Sequence, residues 1–569
     1  MDLAGCYRDA VGGGFGAHIH HVGLALGIKM GEGHVFLQGV TSIPHHTISP
    51  SPAMKPIHRL RPFVFSLALT LVCAAPEGLQ AQNNAGRLPN IGDGNGMSVQ
   101  QERRLGESIM RQLVTDTDYM DDPVLIDYLQ TVWQPLREAA MQLGNLQAEQ
   151  EEAFAWDVFL VRDRSVNAFA LPGGFMGVHL GLMAVVASRD ELASVMAHEL
   201  SHVTQRHIAR MQDQQGRTTP FLIAGMILGV LAASRSPDAA SAMMMGGTAG
   251  SVQGQLNFSR DMEREADRLG FNVHAQAGFD SQGFVGMFEK LQQASRLNDN
   301  GNYPYLRSHP LTTERIGDMQ SRMGIDVTET KARPQTMAHA MMQARARALM
   351  SKRAEEIQDL VLAYEKETNT RMTEAQQAGL LYAAVMAYTE QRQAEKVLLA
   401  LNRLLALSAN DDQGLSAARW LAADTQRRLG RHAECLKFLN DVPASRARLL
   451  LQAQCRIASQ KPALIEQAGD QLQLWLADHP RDPLAWDTTA YAYAQSGQGL
   501  RALRAEAEAK AVRWDEVAAI DRLRAAQSLA RELTQQGKLD LGGQQEASII
   551  DARLRALEAK RRELLHPNK

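Results

Sequence analysis

The segment HELSH, residues 198–202, carries two histidines four positions apart with a glutamate directly after the first. On an α-helix His198 and His202 lie one turn apart on the same face, so both imidazoles can reach one metal ion. Glu199 points about 100° around the helix, where it can act as the general base for peptide hydrolysis. In a chain with 17 histidines such a string can also arise by chance, so the neighbouring sequence must decide.

A catalytic zinc ion held by two histidines needs a third protein ligand and keeps its fourth position open. Residues 257–278, NFSRDMEREADRLGFNVHAQAG, predict a helix that Ser259 caps and Gly278 ends. Glu263 and Asp267 are four positions apart and share a face of this helix; alone, such a charged run is typical of a solvated face. Downstream of HELSH, the run indicates Glu263 as the third ligand of one zinc ion per chain and Asp267 as the carboxylate that orients a ligating imidazole.

The segment RSHPLTTERIGDM, residues 307–319, predicts a turn at His309 and Pro310 and a helix from about Thr312. Three roles are open for His309: a donor to the transition state, a fourth zinc ligand that shuts the site, or a plain turn residue. Arg315 is a candidate for binding the substrate backbone or stabilising the oxyanion, although a structural ion pair is the favoured interpretation.

Short strands are predicted upstream of HELSH. Residues 156–163 (WDVFLVRD) and 166–183 (VNAFALPGGFMGVHLGLM) alternate or run apolar with Gly and Pro between them, which indicates short strands and a hairpin. Before them, Val99–Leu113 and Pro123–Leu143 have apolar residues at helical spacing. Residues 99–330 therefore predict an α+β metallopeptidase domain that is mostly helical with a small sheet.

The helix that carries HELSH has a clear predicted start. Ser188 can cap it, and Glu191 three residues later predicts a reciprocal capping box. Its buried stripe is predicted at Leu192, Val195, Met196 and Val203.

Residues 220–250 contain an apolar run of about 14 residues, which is short of the ~20 needed to span a bilayer. Two interpretations stay open for this segment: a flap that borders the active cleft, or ordinary core.

From about residue 340 the chain is rich in Ala, Leu, Gln and Arg, which favours helix. Inter-helix turns are predicted near residues 391–392, 429–430, 459–460 and 496–497, a spacing of roughly 30 to 38 residues that is typical of tetratricopeptide repeats. Residues 336–545 therefore predict an all-α, tetratricopeptide-repeat-like solenoid, with an unrelated helical bundle as the alternative. Residues 546–569 are predicted to be a C-terminal helix or tail.

The N-terminal part divides into three predicted segments. Residues 54–81 have a basic start, an apolar run and small residues before Gln82, which is typical of a secretory signal peptide. Residues 1–53 are then a non-native upstream leader or a disordered segment, with metal binding by their histidines as a minor alternative. Residues 82–98 are predicted to be a flexible arm.

Composition limits the partners. The chain has 60 Lys+Arg against 63 Asp+Glu and a net charge of -3, so we expect no nucleic-acid partner. Cleavage after Ala81 would leave two cysteines, Cys435 and Cys455. They either bridge the two helices of a hairpin in an oxidising compartment or stay separate buried thiols.

Five segments occur in an order that resembles one family of metallopeptidases. They are NAFALPGG (167–174), GLM (181–183), ELASVMAHELSHVTQRH (191–207), SRDMEREAD (259–267) and SHPLTTERI (308–316). The chain resembles the gluzincin metallopeptidases of the HtpX and CAAX-protease type over about residues 90 to 540.

The resemblance implies that His198, His202 and Glu263 bind zinc, that Glu199 is the catalytic base and that Asp267 supports the site. It also implies that Asn167, Ala168, Phe169 and Ala170 line the substrate cleft, where an extended peptide could add as a strand.

A signal peptide combined with repeats resembles the periplasmic members of Gram-negative bacteria that act in quality control and assembly of outer-membrane β-barrel proteins. We therefore expect a periplasmic zinc endopeptidase with chaperone-like activity. Unfolded or stalled outer-membrane proteins would be its substrates, and its repeats would contact the assembly machinery, with a possible peripheral membrane contact. One rival is a holdase or scaffold whose protease is normally self-inhibited. A membrane-embedded prenyl-protein protease is disfavoured, because no apolar run after the signal is long enough to span a bilayer.

Overall fold

A computed structural model describes residues 97–214, 260–296, 303–327, 333–366 and 372–565. The predicted leader, the signal segment, the apolar segment 220–250 and the Ser259 cap lie outside the described residues, as does most of the predicted arm. The peptidase half (described residues 97–327) and the helical half (333–366 and 372–565) belong to one compact unit.

The peptidase half is mostly helical around one small sheet, as predicted. Its strands are β1 (Tyr119–Met120), β2 (Asp157–Val161), β3 (Ala168–Leu171) and β4 (Phe175–His179). Its helices are α1 (Val99–Leu113), α2 (Pro123–Gln142), α3 (Ala148–Ala153), α4 (Leu180–Val185), α5 (Arg189–Thr204), α6 (His207–Gln214), α7 (Arg260–Gln276), α8 (Gln282–Arg296), α9 (Tyr305–Ser308) and α10 (Thr313–Val327).

The four strands form a sheet in the order β1-β2-β4-β3, with β3 at an edge. Strand β2 is parallel to β4, while β1 is antiparallel to β2 and β3 is antiparallel to β4. The predicted hairpin is therefore confirmed as β3 and β4, joined at Gly173 and Gly174, which both have positive φ. The prediction of strand for residues 180–183 was wrong, because the chain turns into α4 directly after His179.

Helix α5 lies in the centre of the peptidase half, and every residue from Glu191 to Thr204 is buried. It packs against α2, α7, α8 and β3. The close approach of α7 depends on Gly270, because a Cβ there would lie 3.1 Å from the carbonyl oxygen of Ala197 and from the backbone nitrogen of His198. The centre of the fold thus brings α7 directly against the helix that carries HELSH.

The start of α5 follows the prediction in part. Ser188 is the N-cap, and its hydroxyl accepts a hydrogen bond of 3.1 Å from the backbone N–H of Glu191. The predicted reciprocal bond of a capping box was wrong, since the Glu191 carboxylate instead accepts from the N–H of Ala187 and pairs with Lys290.

The C-terminal half contains only helices within residues 333–366 and 372–565. They are α11 (Met337–Met350), α12 (Ala354–Lys366), α13 (Glu374–Glu390), α14 (Ala394–Leu407), α15 (Asp412–Arg428), α16 (His432–Leu439), α17 (Arg446–Ala458), α18 (Pro462–Asp478), α19 (Pro483–Gln495), α20 (Gly499–Val512), α21 (Glu516–Gln535) and α22 (Leu541–Leu565).

All four predicted inter-helix turns are confirmed. Each is a three-residue connection, and the middle residue has a positive φ: Arg392, Gly430, Gln460 and Gly497. One helix, α22, runs through the predicted boundary at 545–546, because Ile550, Leu554 and Leu557 continue the same packing against α21.

The two cysteines left by the predicted cleavage form a disulfide. Cys435 on α16 is bonded to Cys455 on α17, and both side chains are fully buried. The first of the two sequence-based alternatives, a bridge between neighbouring helices, is therefore confirmed.

Candidate metal centre

Four buried side chains from three parts of the chain meet at one place. His198, His202, Glu263 and His309 each offer one ligand atom, and these atoms all lie within 4.8 Å of one another. Each residue is at most 3% exposed. The Nε2 atoms of the two histidines of α5 are 3.0 Å apart.

Glu263 comes from α7 and faces the histidines of α5. Its Oε1 lies 3.5 Å from the Nε2 of His202, and its Oε2 lies 3.5 Å from the Nε2 of His198. His309, which follows α9, places Nδ1 2.9 Å from the Oε1 of Glu263 and 3.4 Å from the Nε2 of His198. The structure thus brings together the three predicted ligands and the histidine for which three roles were open.

Asp267 lies one turn after Glu263 on the same buried face of α7. Its Oδ1 is 2.9 Å from the Nδ1 of His198, the ring atom that points away from the cluster. Arg315 forms a two-point ion pair with this carboxylate, at 2.6 and 2.8 Å, and also lies 2.8 Å from Glu263. Arg315 therefore has the contacts of a structural ion pair, which was the favoured interpretation.

Glu199 lies between the cluster and the edge strand. Its Oε2 accepts a hydrogen bond of 3.1 Å from the backbone N–H of Ala170 in β3. Its Oε1 is 3.4 Å from the Nε2 of His309 and, in the described part of the chain, is a buried oxygen that accepts no hydrogen bond.

The four predicted cleft residues occupy different positions. The Asn167 carbonyl oxygen accepts from the N–H of His179, and Ala168 is fully buried. Phe169 and Ala170 are half-buried, and Ala170 makes the hydrogen bond to Glu199.

Burial and neighbouring charges shift the pKa values of the cluster residues away from their usual range. Burial pushes the pKa of His198 down, but hydrogen bonds and negative charge from Asp267 and Glu263 outweigh it and raise the pKa to about 10. Burial raises the pKa of Glu199. Burial also lowers the pKa of His202 well below its usual range, with the charge of His198 acting in the same direction. For Glu263, the hydrogen bonds and charges of His309 and His198 overcome burial and hold the pKa well below its usual range.

Two residues beside the cluster had no predicted role. The Nδ1 of His207, the first residue of α6, is 2.8 Å from the Nδ1 of His202. Tyr305 stacks its ring on His309, with 4.7 Å between the ring centroids. His207 lies five positions after His202, a spacing that helical periodicity does not select.

The donor set fits a zinc ion. Imidazole nitrogens and one carboxylate are the ligands that catalytic zinc uses. Among the described residues, the buried Oε1 of Glu199 accepts no hydrogen bond. Buried polar atoms normally have a partner, so this oxygen fits a site that also binds a polar group such as water.

Comparison with known proteins agrees with this geometry. The model of Peptidase family M48 matches residues 130–323. The chain is 30% identical to the beta-barrel assembly-enhancing protease of Escherichia coli (strain K12), over 86% of this chain and 95% of the relative. It is 31% identical to that of Yersinia pestis, over 75% of this chain and 84% of the relative. It is 33% identical to a putative beta-barrel assembly-enhancing protease of Vibrio cholerae, over 59% and 67%.

The chain belongs to the M48 metallopeptidases, in the family that contains the beta-barrel assembly-enhancing proteases. It is a metallopeptidase whose site combines an HExxH helix with a carboxylate from a second helix. Among the helices in the described part of the chain, none has both the length and the apolar sequence that a membrane span needs.

Proposed function

We propose that the protein is a zinc endopeptidase of the bacterial periplasm that acts on outer-membrane β-barrel proteins. The observation that carries the enzymatic part is the convergence of His198, His202 and Glu263 beside Glu199, at the edge strand of the sheet. These three residues would hold one zinc ion, and Asp267 would orient His198.

Glu199 is the proton carrier in this proposal. Zinc, when bound, polarises the scissile carbonyl and makes water more acidic. Glu199 accepts the proton of the attacking water and returns it to the leaving amine. Its raised pKa suits a residue that must both take and give a proton near neutral pH.

Strand β3 would hold the substrate in an extended form. It is an edge strand, so its outer backbone groups, apart from the Ala170 N–H that donates to Glu199, are available to pair with a peptide. Beside His198 lies a pocket lined mainly by apolar side chains of α5 and α8, with Phe284, Met287, Phe288 and Leu291 among them. Its volume of about 10 Å³ is room for about one water molecule, so the pocket would have to widen to receive an apolar side chain of the peptide.

The cellular role is proposed from the relatives and the sequence. Relatives that match over most of their length are named beta-barrel assembly-enhancing proteases. The predicted signal peptide at 54–81 would direct the chain to the periplasm, where a disulfide such as Cys435–Cys455 can persist. We propose that residues 336–545, as a tetratricopeptide-repeat-like solenoid, contact stalled substrates and the assembly machinery and supply a chaperone-like activity.

Zinc content tests the enzymatic part. We expect one zinc ion per chain in wild type and cleavage of casein. We expect Glu263→Gln to lose both, because two histidines alone do not hold the ion firmly. Wild-type protein that binds no zinc, or Glu263→Gln that cleaves casein at the wild-type rate, would contradict the proposed site.

The position of His309 favours a second candidate, a holdase or scaffold whose protease is normally self-inhibited. Its ring is within 3.4 Å of His198, Glu199 and Glu263, where it could fill the fourth ligand position. His309→Ala should then raise the rate of casein cleavage, and an unchanged or lower rate would argue against inhibition. Full cellular function of Glu199→Gln would instead favour the scaffold over the protease.

A further inference from the structure

The two histidines of α5 are held by different partners on the side that faces away from the cluster. His198 has the carboxylate of Asp267 at its Nδ1, 2.9 Å away. His202 has another imidazole at its Nδ1, that of His207, 2.8 Å away. The second imidazole is itself fully buried, and its Nε2 lies 3.1 Å from the Oε2 of Glu265.

The backbone is shaped to deliver His207 to this position. Between α5 and α6, Arg206 has φ of 53°, a left-handed conformation that is uncommon for a residue with a side chain. The Arg206 side chain is anchored, because its Nε donates to the buried carboxylate of Glu102 at 2.8 Å and its guanidinium also donates to the carbonyl oxygen of Met97. The chain thus reverses direction within two residues and points His207 back at the helix it has just left.

The donor and the acceptor in each of these hydrogen bonds follow from the way a histidine binds a metal. A histidine that binds a metal through Nε2 carries its proton on Nδ1, so His202 donates to the Nδ1 of His207. The proton of His207 is then on Nε2, where it donates to Glu265. Glu265 is fixed in turn by Arg210, at 2.8 Å.

We propose that His207 is a positioning residue for the metal centre: it holds the His202 ring in the orientation and tautomer in which Nε2 faces the ion, and Glu265 holds His207. The inference rests on the proposed zinc site. It gives each ligand histidine its own support, Asp267 for His198 and the His207–Glu265 pair for His202. A merely structural role, in which His207 only fills space, is the alternative.

Zinc affinity of three purified full-chain variants separates these roles. His207→Leu removes the acceptor and keeps the volume, whereas His207→Asn keeps an acceptor close to the position of Nδ1. His274→Leu is the matched control, because His274 is also fully buried in the peptidase half but lies near the carbonyl oxygen of Asp190 rather than a ligand. The zinc dissociation constant is measured by competition with a chromogenic chelator, alongside kcat and KM on a casein-derived peptide.

We expect His207→Leu to bind zinc about 10- to 100-fold more weakly, the range found when partners of ligand histidines are removed. His207→Asn should recover most of that loss, and His274→Leu should bind as wild type does while unfolding at a lower temperature. Equal zinc affinity in wild type and His207→Leu would overturn the inference, as would a loss of the same size in His207→Asn. Wild type that binds no zinc would instead contradict the proposed function.

Glu265→Ala keeps the test decisive should His207→Leu not fold. The Glu265 side chain is partly exposed, so its removal leaves the core intact. Since it leaves the Nε2 of His207 without its carboxylate, we expect a smaller loss of zinc affinity, about 10-fold at most. An unchanged affinity in this variant would overturn the inference.

Discussion

The two halves of the molecule bury charge in different places. In the peptidase half, several buried ionisable residues meet at one place inside the fold, among them His198, Glu199, His202, His207, Glu263, Asp267, His309 and Arg315. In the helical half, several buried or half-buried ionisable groups lie where it contacts the peptidase half. Examples are Arg345 with Asp122, Arg446 with Asp121 and Glu516 with Arg111.

The two groups of buried charges have different roles. Those at the metal centre serve the reaction, and those between the halves hold the two halves together. Burial of an ion is unfavourable unless its partners compensate. At the metal centre the carboxylates and imidazoles are placed so that they can act on a metal and a substrate. In the three ion pairs named at the contact between the halves, each charge is matched by an opposite one. The first group should therefore control catalysis, and the second should control how firmly the halves stay together.

The largest expected effect is on chemistry alone. Glu199→Gln removes the proton acceptor, so we expect kcat for peptide cleavage to fall by about 10²- to 10⁴-fold. Zinc content should stay at one ion, because Glu199 is not a proposed ligand. Glu191→Gln is the control, since it changes a buried carboxylate on the same helix that pairs with Lys290 instead. The two variants having equal kcat would remove Glu199 from the mechanism.

The next effect is on the contact between the halves. Arg345 makes a two-point ion pair with Asp122 at 2.8 and 2.6 Å, and both residues are buried. Arg345→Leu leaves the Asp122 charge uncompensated, so the free energy of unfolding should fall by about 3–5 kcal/mol.

Urea unfolding followed in both halves tests this prediction. Arg347→Leu, on the same helix, removes an exposed arginine that donates to the carbonyl oxygen of Ala184 and should have less than half the effect. If Arg345→Leu has no larger effect than Arg347→Leu, the ion pair does not stabilise the contact.

A smaller loss of stability should be confined to the helical half. The Cys435–Cys455 disulfide closes a loop of 20 residues. Its removal in a double Cys→Ala variant should lower the free energy of unfolding by about 3 kcal/mol. Zinc affinity should not change, because the metal centre is built only from the peptidase half. A drop in zinc affinity would show that the disulfide in the helical half also stabilises the metal centre.

The metal centre was predictable where its chemistry follows local periodicity. His198, His202, Glu263 and Asp267 lie at i and i+4 on two helices, so spacing alone placed each pair on one face. His207 was not predictable in this way, because its contact depends on a left-handed turn at Arg206. The distance of His309 from Glu199 also depends on how separate elements pack, which periodicity does not encode.

The fold could likewise be predicted from the sequence where it follows local periodicity, and not where it depends on contacts between distant segments. All four inter-helix turns were located because helical periodicity stops there, although only two of the middle residues are glycine. Strand β1, with two residues, is too short to show an alternating pattern. The capping box failed because Lys290, from a helix distant in sequence, pairs with Glu191.

The smallest predicted effect is a pH dependence that also separates the halves. His274 is fully buried on α7, and burial lowers its pKa to about 4. The unfolded chain binds a proton near pH 6.5 and the folded chain does not, so this stabilisation is present above about pH 6.5 and is lost as the pH falls towards 4. His274→Gln cannot take up this proton and should lose about 2 kcal/mol less stability than wild type between pH 7 and pH 5.

Urea unfolding at the two pH values measures that difference, with probes in each half. From residue 372 to 565 the histidines are His432 and His479, which are half-buried and exposed. Neither is enclosed as His274 is. The buried histidine of the helical half is His339 on α11, which contacts the peptidase half at Val186 and whose pKa is also lowered by burial. Mild acid should therefore weaken the peptidase half and its contact with α11 before residues 372–565 unfold. Equal pH dependence of wild type and His274→Gln would show that His274 takes up its proton without unfolding the peptidase half. Earlier unfolding of residues 372–565 would show that a feature other than a buried histidine is the acid-sensitive part of the molecule.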